Sequence, residues 1–122
     1  MNDLERFHGY PNGMFSGDEA IHGNDPTQGI ELCEIVEYMY SLETMYRITG
    51  NPRFVETLEK VAFNALPAQT TDDYMTRQYF QQVNQINVME REPNFDVNHS
   101  GLDGCFGLLT GFPCCTSNMH QG

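Results

Sequence analysis

The chain has 122 residues, the size of one small domain, and its 17 acidic residues against 6 basic ones give a formal net charge of −11. This acidity argues against nucleic acid and anionic membrane surfaces as partners and suits a neutral ligand. No apolar run is long enough to span a membrane, and the first residues do not resemble a signal peptide, so the sequence leaves the localisation open.

The first part of the chain is predicted to be a long loop. Residues 1–30 are rich in Gly, Pro, Asn and Asp, which favour turns. A loop of this length inside a compact protein is usually functional or disordered, and we expect it to be an active-site loop.

A helical hairpin is predicted over residues 33–66. Apolar residues cover nearly every face of its first helix, which is typical of a helix that is buried on all sides. Gly50 is expected to stop this helix, and Asn51 as the cap with Pro52 at the first helical position is expected to start the second one. Pro67 is expected to end the second helix.

The remaining chain changes from helix formers to strand and loop formers. Residues 74–89 contain Tyr, Phe, Val and Ile broken by Gln and Asn, which predicts one or two short strands. Residues 90–122 are rich in glycine and are predicted to be a loop that carries two adjacent cysteines. A helix cap at Ser117 or Asn118 would come just before the sequence closes, so we expect the chain to be a segment of a larger protein.

The chain contains four cysteines, Cys33, Cys105, Cys114 and Cys115. An even number in a short chain is compatible with two disulfides. The spacing, however, is not that of a small secreted scaffold, and the neighbours Cys114 and Cys115 could bridge each other only with strain. Free thiols or thiolate ligands are therefore the favoured interpretation.

Glu31, Cys33 and the pair Cys114–Cys115 form a candidate four-ligand metal site. Residues two apart on a regular helix point to nearly opposite sides, so Glu31 and Cys33 can share an ion only where the backbone is extended or irregular. Adjacent thiols are unusual for structural zinc, whose cysteines are commonly about two to four residues apart. The alternative is that these cysteines pack in a buried helix and a buried loop, because free cysteine is often a core residue.

Other polar residues have two interpretations each. Glu19 ends the stretch Ser-Gly-Asp-Glu and could present a general acid, although the residues alone favour an exposed loop glutamate. The Gln and Asn side chains of residues 81–85 could bind sugar hydroxyls or form the solvent face of a strand. The histidines follow no metal-binding pattern and are expected to be solvated or capping residues: His8, His22, His99 and His120.

Five stretches, in this order along the chain, resemble glycoside hydrolase family 127, whose founding members are β-L-arabinofuranosidases. They are residues 16–19 (SGDE), 23–33 (GNDPTQGIELC), Glu37, residues 83–85 (VNQ) and 114–118 (CCTSN). The pairing of Glu-x-Cys with a distant Cys-Cys is specific, and the resemblance covers most of the chain.

The resemblance implies a mainly α fold, a fragment of an (α/α)6 barrel with a helical hairpin, one or two short strands and long loops. The family's catalytic domain is several times longer than this chain and is followed by β-sandwich domains. The rest of the parent chain is therefore an expected partner, and the isolated segment is expected to be inactive because half of the pocket would be missing.

The resemblance also implies the chemistry. Zinc would be bound by Glu31, Cys33, Cys114 and Cys115, with Cys114 as the nucleophile and Glu19 as the general acid/base. The activity implied is that of a retaining glycosidase that acts on a carbohydrate substrate and releases terminal L-arabinofuranose-type sugars from the non-reducing end. The alternative is a non-catalytic, structural zinc-binding segment of a larger protein.

The sequence departs from the family's pattern at two places. The gap between Glu19 and Glu31 is shorter than in the founding members, so Glu19 is placed by its Gly-Asp-Glu context. Gln82 stands where the founding members carry a sugar-contacting tyrosine, so Gln82 is predicted to bind substrate and the sugar specificity stays open. The family's other substrate-binding histidines would lie upstream of this sequence.

Overall fold

The structure is a computed structural model that describes residues 1–90 and 100–119. In these ranges the chain forms helices and short strands in the order α1 Asn2–His8, β1 Ile30–Glu31, α2 Leu32–Thr49, α3 Pro52–Gln69, β2 Phe80–Gln81 and α4 Cys114–Asn118. The architecture is mainly helical with a helical hairpin and two short strands, as predicted, and is consistent with part of an α/α barrel. Strand β2 lies in the predicted strand region, residues 74–89, whereas β1 begins in residues that were predicted to be loop. Among these helices, none is both long and apolar enough to cross a membrane.

The hairpin is formed by α2 and α3, and its joint follows from local chemistry. Gly50 ends α2 in the left-handed conformation (φ 65°), and its N–H donates to the carbonyl of Tyr46 at 2.7 Å. The side chain of Asn51 caps α3 by accepting a hydrogen bond from the N–H of Arg53 at 3.1 Å, and Pro52 takes the first helical position. The predicted joint is confirmed.

α3 continues past Pro67, where the sequence predicted its end. Its last residue, Gln69, is buried and donates through Nε2 to the carbonyls of Gln78 at 2.9 Å and Tyr79 at 2.8 Å. Gln81 Nε2 in turn donates to Gln69 Oε1 at 2.6 Å. These contacts offset the hydrogen bond that proline removes, so the predicted helix end was wrong.

α2 buries its first half on two faces. One face packs in a first core cluster, together with residues of α3 and of the N-terminal region: Tyr10, Met14, Ile30, Ile35, Met39, Val61 and Ala65. The other face belongs to a second core cluster that includes a thiol: Leu32, Val36, Tyr79, Phe80 and Cys115. The second half exposes apolar side chains such as Tyr40 and Ile48. The prediction of a helix buried on every side is therefore wrong within the described part of the chain.

The two strands bring distant segments to the start of α2. β1 pairs antiparallel with β2 over two residues. On the other side of β1, Ile30 forms a parallel bridge with Gly17, and the N–H of Glu31 donates to the carbonyl of Gly17 at 3.0 Å. The loop that leads to Glu19 therefore runs alongside β1.

Two helices lie where the sequence predicted loop. α1 has acidic residues in its first turn and basic ones in its last, which complements the helix dipole, and none of its residues is buried. α4 begins at Cys114, ahead of the predicted cap at Ser117 or Asn118. The carbonyl of Pro113 accepts hydrogen bonds from the N–H groups of Thr116 and Ser117 at 3.1 and 3.2 Å, which closes this single turn.

Candidate metal centre and active site

Glu31 and Cys33 are brought to one side by a change in backbone conformation. Glu31 is extended (φ −76°, ψ 144°), and α2 begins at the next residue. Leu32 is fully buried in the second core cluster, which leaves its two neighbours facing Cys115. The irregular backbone that the sequence argument required is confirmed, although α2 begins one residue before the predicted start.

Four side chains from the start of α2 and the start of α4 meet here, and we call them the thiol-carboxylate cluster: Glu31, Cys33, Cys114 and Cys115. The Sγ atoms of Cys114 and Cys115 each lie 3.3 Å from Glu31 Oε1, and those of Cys33 and Cys115 are 3.3 Å apart. All four candidate ligand atoms lie within 4.8 Å of one another. The four cysteines of the chain are free thiols, as expected.

The donor set of the thiol-carboxylate cluster could hold a metal ion. Zinc prefers four ligands in a tetrahedron, with bonds of about 2.3 Å to sulfur and about 2.0–2.2 Å to a carboxylate oxygen. Ligand atoms of one such site are therefore roughly 3.5–4 Å apart. The Sγ atoms of Cys114 and Cys115 are 4.0 Å apart, three further contacts are 3.3 Å, and all the candidate ligand atoms lie within 4.8 Å of one another, so little movement separates this arrangement from a bound ion.

Crowding of acidic groups changes their proton affinities. Burial raises the pKa of the Cys114 thiol to about 11. The hydrogen bond between Cys33 and Cys115 raises the pKa of Cys115 and lowers that of Cys33. A bound cation would stabilise the thiolate form of these cysteines and displace their protons, which is how metal binding is coupled to deprotonation.

Arg77 holds the segment that carries the adjacent thiols. Its side chain is buried, and its three guanidinium nitrogens donate to the carbonyl of Thr110 at 2.6 Å, the carbonyl of Phe112 at 2.7 Å and the Thr116 hydroxyl at 3.1 Å. The backbones of Arg77 and Gly107 exchange hydrogen bonds of 3.2 and 2.9 Å. Residues 107–116 therefore fold around one buried cation.

Glu19 lies on a loop that is fixed by its neighbours. The Ser16 hydroxyl donates to the carbonyl of Gly23 at 2.8 Å and accepts from the N–H of His22 at 2.9 Å. His22 Nε2 also lies 2.5 Å from the buried carboxylate of Asp18. Glu19 has a φ of 78°, which a non-glycine residue rarely adopts and which is common at functional sites.

The histidines were predicted to be solvated or capping residues. His22 instead pairs with buried Asp18. His8 does act as a local acceptor, since its Nδ1 receives the N–H of Gly23 at 2.8 Å. His99 and His120 lie outside the described residues.

Tyr79 joins Glu19 to the thiol-carboxylate cluster. Its hydroxyl donates to Glu19 Oε1 at 2.8 Å and lies 3.7 Å from Cys114 Sγ. The side chain is 1% exposed. Burial, and then the hydrogen bond with Glu19, raise the pKa of Tyr79 well above its ordinary value.

A pocket of about 240 Å³ lies beside these residues, and its lining includes Glu19, Glu31 and Glu34. Burial, and then the charges of Glu31 and Asp18, raise the pKa of Glu34 to about 9. A Cβ at Gly17 would overlap the Glu34 carboxylate, so a larger residue at this position would require the Glu34 side chain to move. Three carboxyl groups thus face one small space.

The model of one protein family, described as beta-L-arabinofuranosidase, GH127 catalytic domain, matches residues 2–122. The chain belongs to the GH127 family. The match spans the thiol-carboxylate cluster, Glu19 and Tyr79, and it confirms the resemblance seen in the sequence motifs. A GH127 catalytic domain is a glycoside hydrolase domain, which implies a carbohydrate substrate. No curated protein and no solved structure matches the chain.

Gln82 of this GH127 chain lies in a different place from Glu19. Its Nε2 donates to the carbonyl of Thr27, and it lines a separate cleft of about 410 Å³ that is rich in amide side chains. The described residues therefore do not bring Gln82 into the pocket of Glu19 and Glu31. A role for Gln82 in substrate binding stays a prediction.

Three residues around the GH127 site were not singled out from the sequence: Arg77, Tyr79 and Glu34. The partners of Arg77 and Tyr79 lie far along the chain, 33 residues away for Arg77 and Thr110 and 60 for Tyr79 and Glu19. No local sequence motif predicts such long-range contacts. The one available signal was that Tyr79 is an aromatic residue within the predicted strand region, residues 74–89.

Proposed function

We propose that the chain carries the catalytic centre of a zinc-dependent retaining glycosidase that releases terminal L-arabinofuranose-type sugars. The thiol-carboxylate cluster would hold zinc, Cys114 would be the nucleophile and Glu19 the general acid/base. The observation that carries the proposal is the Tyr79 hydroxyl, which contacts both Glu19 and Cys114 and so places a carboxyl group close to one thiol of the cluster. The GH127 family supports glycosidase chemistry.

A retaining glycosidase needs an acid and a nucleophile on opposite sides of the sugar. In the first step the Cys114 sulfur bonds to the anomeric carbon, the bond to the leaving oxygen breaks, and that oxygen takes the proton of Glu19. In the second step Glu19 accepts a proton from water, the water oxygen bonds to the anomeric carbon, and the carbon–sulfur bond breaks. The sugar leaves with its original anomeric configuration, and Cys114 and Glu19 return to their starting states.

The three thiols are not equivalent, and this favours Cys114 as the nucleophile. A bound zinc ion would keep coordinating thiols ionised near neutral pH. Cys115 is fully buried in the second core cluster, and Cys33 accepts a hydrogen bond from Asn118 Nδ2 at 3.5 Å. Cys114 is partly exposed and faces the Tyr79 hydroxyl.

The roles are tested with Cys114→Ser and Glu19→Gln in the full-length enzyme. Each variant is expected to lower kcat/KM for an aryl L-arabinofuranoside by about 10²–10⁴-fold, the range by which the loss of a catalytic acid or base slows such reactions. Cys105→Ser is the matched control, because Cys105 is also a partly exposed free thiol but lies outside the thiol-carboxylate cluster. Near-normal turnover by both site variants would show that the assigned roles are wrong.

A second candidate function is a non-catalytic structural zinc segment of a larger protein. The observation in its favour is the set of four protein ligands, since catalytic zinc sites usually leave one position open. Under this alternative, chelation lowers the melting temperature but leaves sugar binding unchanged. Under the proposed function, chelation also abolishes turnover, and stoichiometric zinc restores it. Metal analysis and calorimetry with L-arabinose, before and after chelation, separate the two.

A further inference from the structure

We infer that Tyr79 is a positioning residue that serves both reacting groups, orienting the Glu19 carboxyl and supplying a hydrogen bond to Cys114 sulfur. The inference rests on the proposed roles of Glu19 and Cys114 and adds a third residue to them. It starts from one hydroxyl that lies 2.8 Å from a carboxylate oxygen and 3.7 Å from a thiol sulfur.

The position of that hydroxyl is rigidly fixed. The ring of Tyr79 packs edge-to-face on Phe80 with centroids 4.6 Å apart. The N–H of Tyr79 donates to the carbonyl of Asp103 at 2.9 Å, and its carbonyl accepts from Gln69 at 2.8 Å. On another side the ring lies against Gly111, where even a Cβ would overlap it. A ring held in this way gives its hydroxyl one location.

Glu19, in contrast, is an exposed residue on a loop. A glutamate side chain has several rotatable bonds, and fixing it costs conformational entropy. The Tyr79 hydroxyl and Glu19 Oε1 lie 2.8 Å apart, and the hydrogen bond between them holds Oε1 at a defined point beside Cys114, whether the tyrosine or the protonated carboxyl supplies the proton. Tyr79 therefore keeps a loop carboxyl in one place beside Cys114.

The hydroxyl has one proton and two possible acceptors. Before the first step Cys114 is the anion and Glu19 is the neutral acid. After that step Cys114 is a neutral thioether and Glu19 is the anion. Hydrogen bonds to charged acceptors are the stronger ones, so the tyrosine proton is expected to turn from sulfur to carboxylate as negative charge passes between them. One donor thus stabilises the anion on both sides of the step.

The test is Tyr79→Phe in the full-length enzyme, which removes the hydroxyl and keeps the ring. Two L-arabinofuranosides serve as substrates, one with a nitrophenol and one with methanol as leaving group. Protonation matters most for the poor leaving group, so kcat for the methyl glycoside is expected to fall about 10–100-fold, the effect of losing a hydrogen bond to a charged group. For the nitrophenyl glycoside kcat should fall clearly less, and KM should change little for both substrates.

Tyr10→Phe is the matched control. Tyr10 is also buried, and its hydroxyl donates to the carbonyl of Asp25 at 2.6 Å, away from the thiol-carboxylate cluster. This variant is expected to keep both rates, and thermal unfolding of both variants checks that each is folded at the assay temperature. Equal losses on both substrates, or none, would overturn the role of Tyr79 while the proposed function stands. Absence of turnover by the unmodified enzyme on both glycosides would overturn the proposed function, and this inference with it.

Discussion

At the scale of single residues, Arg77 positions the segment that carries the adjacent thiols, Cys114 and Cys115. A planar guanidinium can donate in three directions at once, and here each nitrogen reaches a different residue of the segment before and within α4. A lysine ammonium is a compact point charge on a flexible stem and cannot reproduce this fork. The placement of Cys114 and Cys115 thus depends on a residue that touches neither thiol in any described hydrogen bond.

Arg77→Lys is expected to destabilise the protein and to weaken metal binding. Loss of two of the three hydrogen bonds from a buried cation should lower the free energy of unfolding by about 2–4 kcal/mol. Metal affinity should fall about 10–100-fold, as is typical when residues that support metal ligands are changed. Urea titration and competition with a chromophoric chelator measure the two effects.

Arg53→Lys is the control for this prediction. Arg53 donates to Asn2 and Glu5 from an exposed position, where such pairs contribute at most about 1 kcal/mol. If Arg77→Lys and Arg53→Lys unfold at the same urea concentration and bind metal equally well, Arg77 does not position the thiols.

At the scale of the elements, two glycines with the same backbone conformation have different surroundings. Gly50 at the hairpin joint has a φ of 65° and no atom within 4 Å of an added Cβ. Gly111, on the segment before α4, has a φ of 67°, but a Cβ there would overlap the Tyr79 ring. The first glycine is required by the backbone alone, and the second also by the close approach of a side chain.

Comparison of Gly50→Ala with Gly111→Ala separates these two requirements. Each alanine is strained by the left-handed backbone, at a cost of about 1–2 kcal/mol. Gly111→Ala should lower the free energy of unfolding by roughly 1–3 kcal/mol more, because it forces the Tyr79 ring or the segment before α4 to move. Turnover should fall as well. Equal stability and equal activity of the two variants would show that the ring is free to move.

The elements could be predicted from the sequence where local chemistry decides them. Gly50, Asn51 and Pro52 define the hairpin joint through their own conformations, and the structure follows them. The end of α3 was missed because it is decided by Gln69, whose partners Gln78 and Tyr79 lie nine and ten residues further on. Local propensity at Pro67 could not contain that information.

At the scale of the whole molecule, the thiol-carboxylate cluster is a long-range crosslink. Cys33 and Cys115 are separated by 82 positions in sequence, and a bound ion would tie the start of α2 to α4. The sequence motifs predicted that these four side chains come together, because a distant Cys-Cys paired with Glu-x-Cys is specific, and the structure groups them. Their role as metal ligands stays a prediction. The motifs did not contain Arg77 or Tyr79, which reach the site only through the tertiary fold.

Metal removal is expected to loosen the molecule unevenly. Helix α2 and helix α3 bury apolar residues against each other and need no ion. The segment 100–119 has few buried apolar side chains and depends on Arg77 and the cluster. Chelation should therefore speed amide hydrogen exchange in residues 100–119 at least about tenfold and leave residues 32–69 unchanged.

Hydrogen-exchange mass spectrometry with and without chelator measures this difference. Cys105→Ser, which keeps all four members of the thiol-carboxylate cluster, should show the same chelator response as the unmodified protein. A uniform increase over both segments, or no increase in residues 100–119, would show that the ion does not tie α4 to the hairpin.

The order of Glu31, Leu32 and Cys33 has a consequence for how the chain tolerates change. The middle residue is a core side chain and its two neighbours belong to the thiol-carboxylate cluster. An insertion or deletion at this point would shift the apolar register of α2 and misplace Glu31 and Cys33 in the same event. An insertion or deletion that disrupts the thiol-carboxylate cluster would therefore also disrupt folding. Cellular quality control that degrades misfolded chains would then remove chains with a disrupted cluster as well.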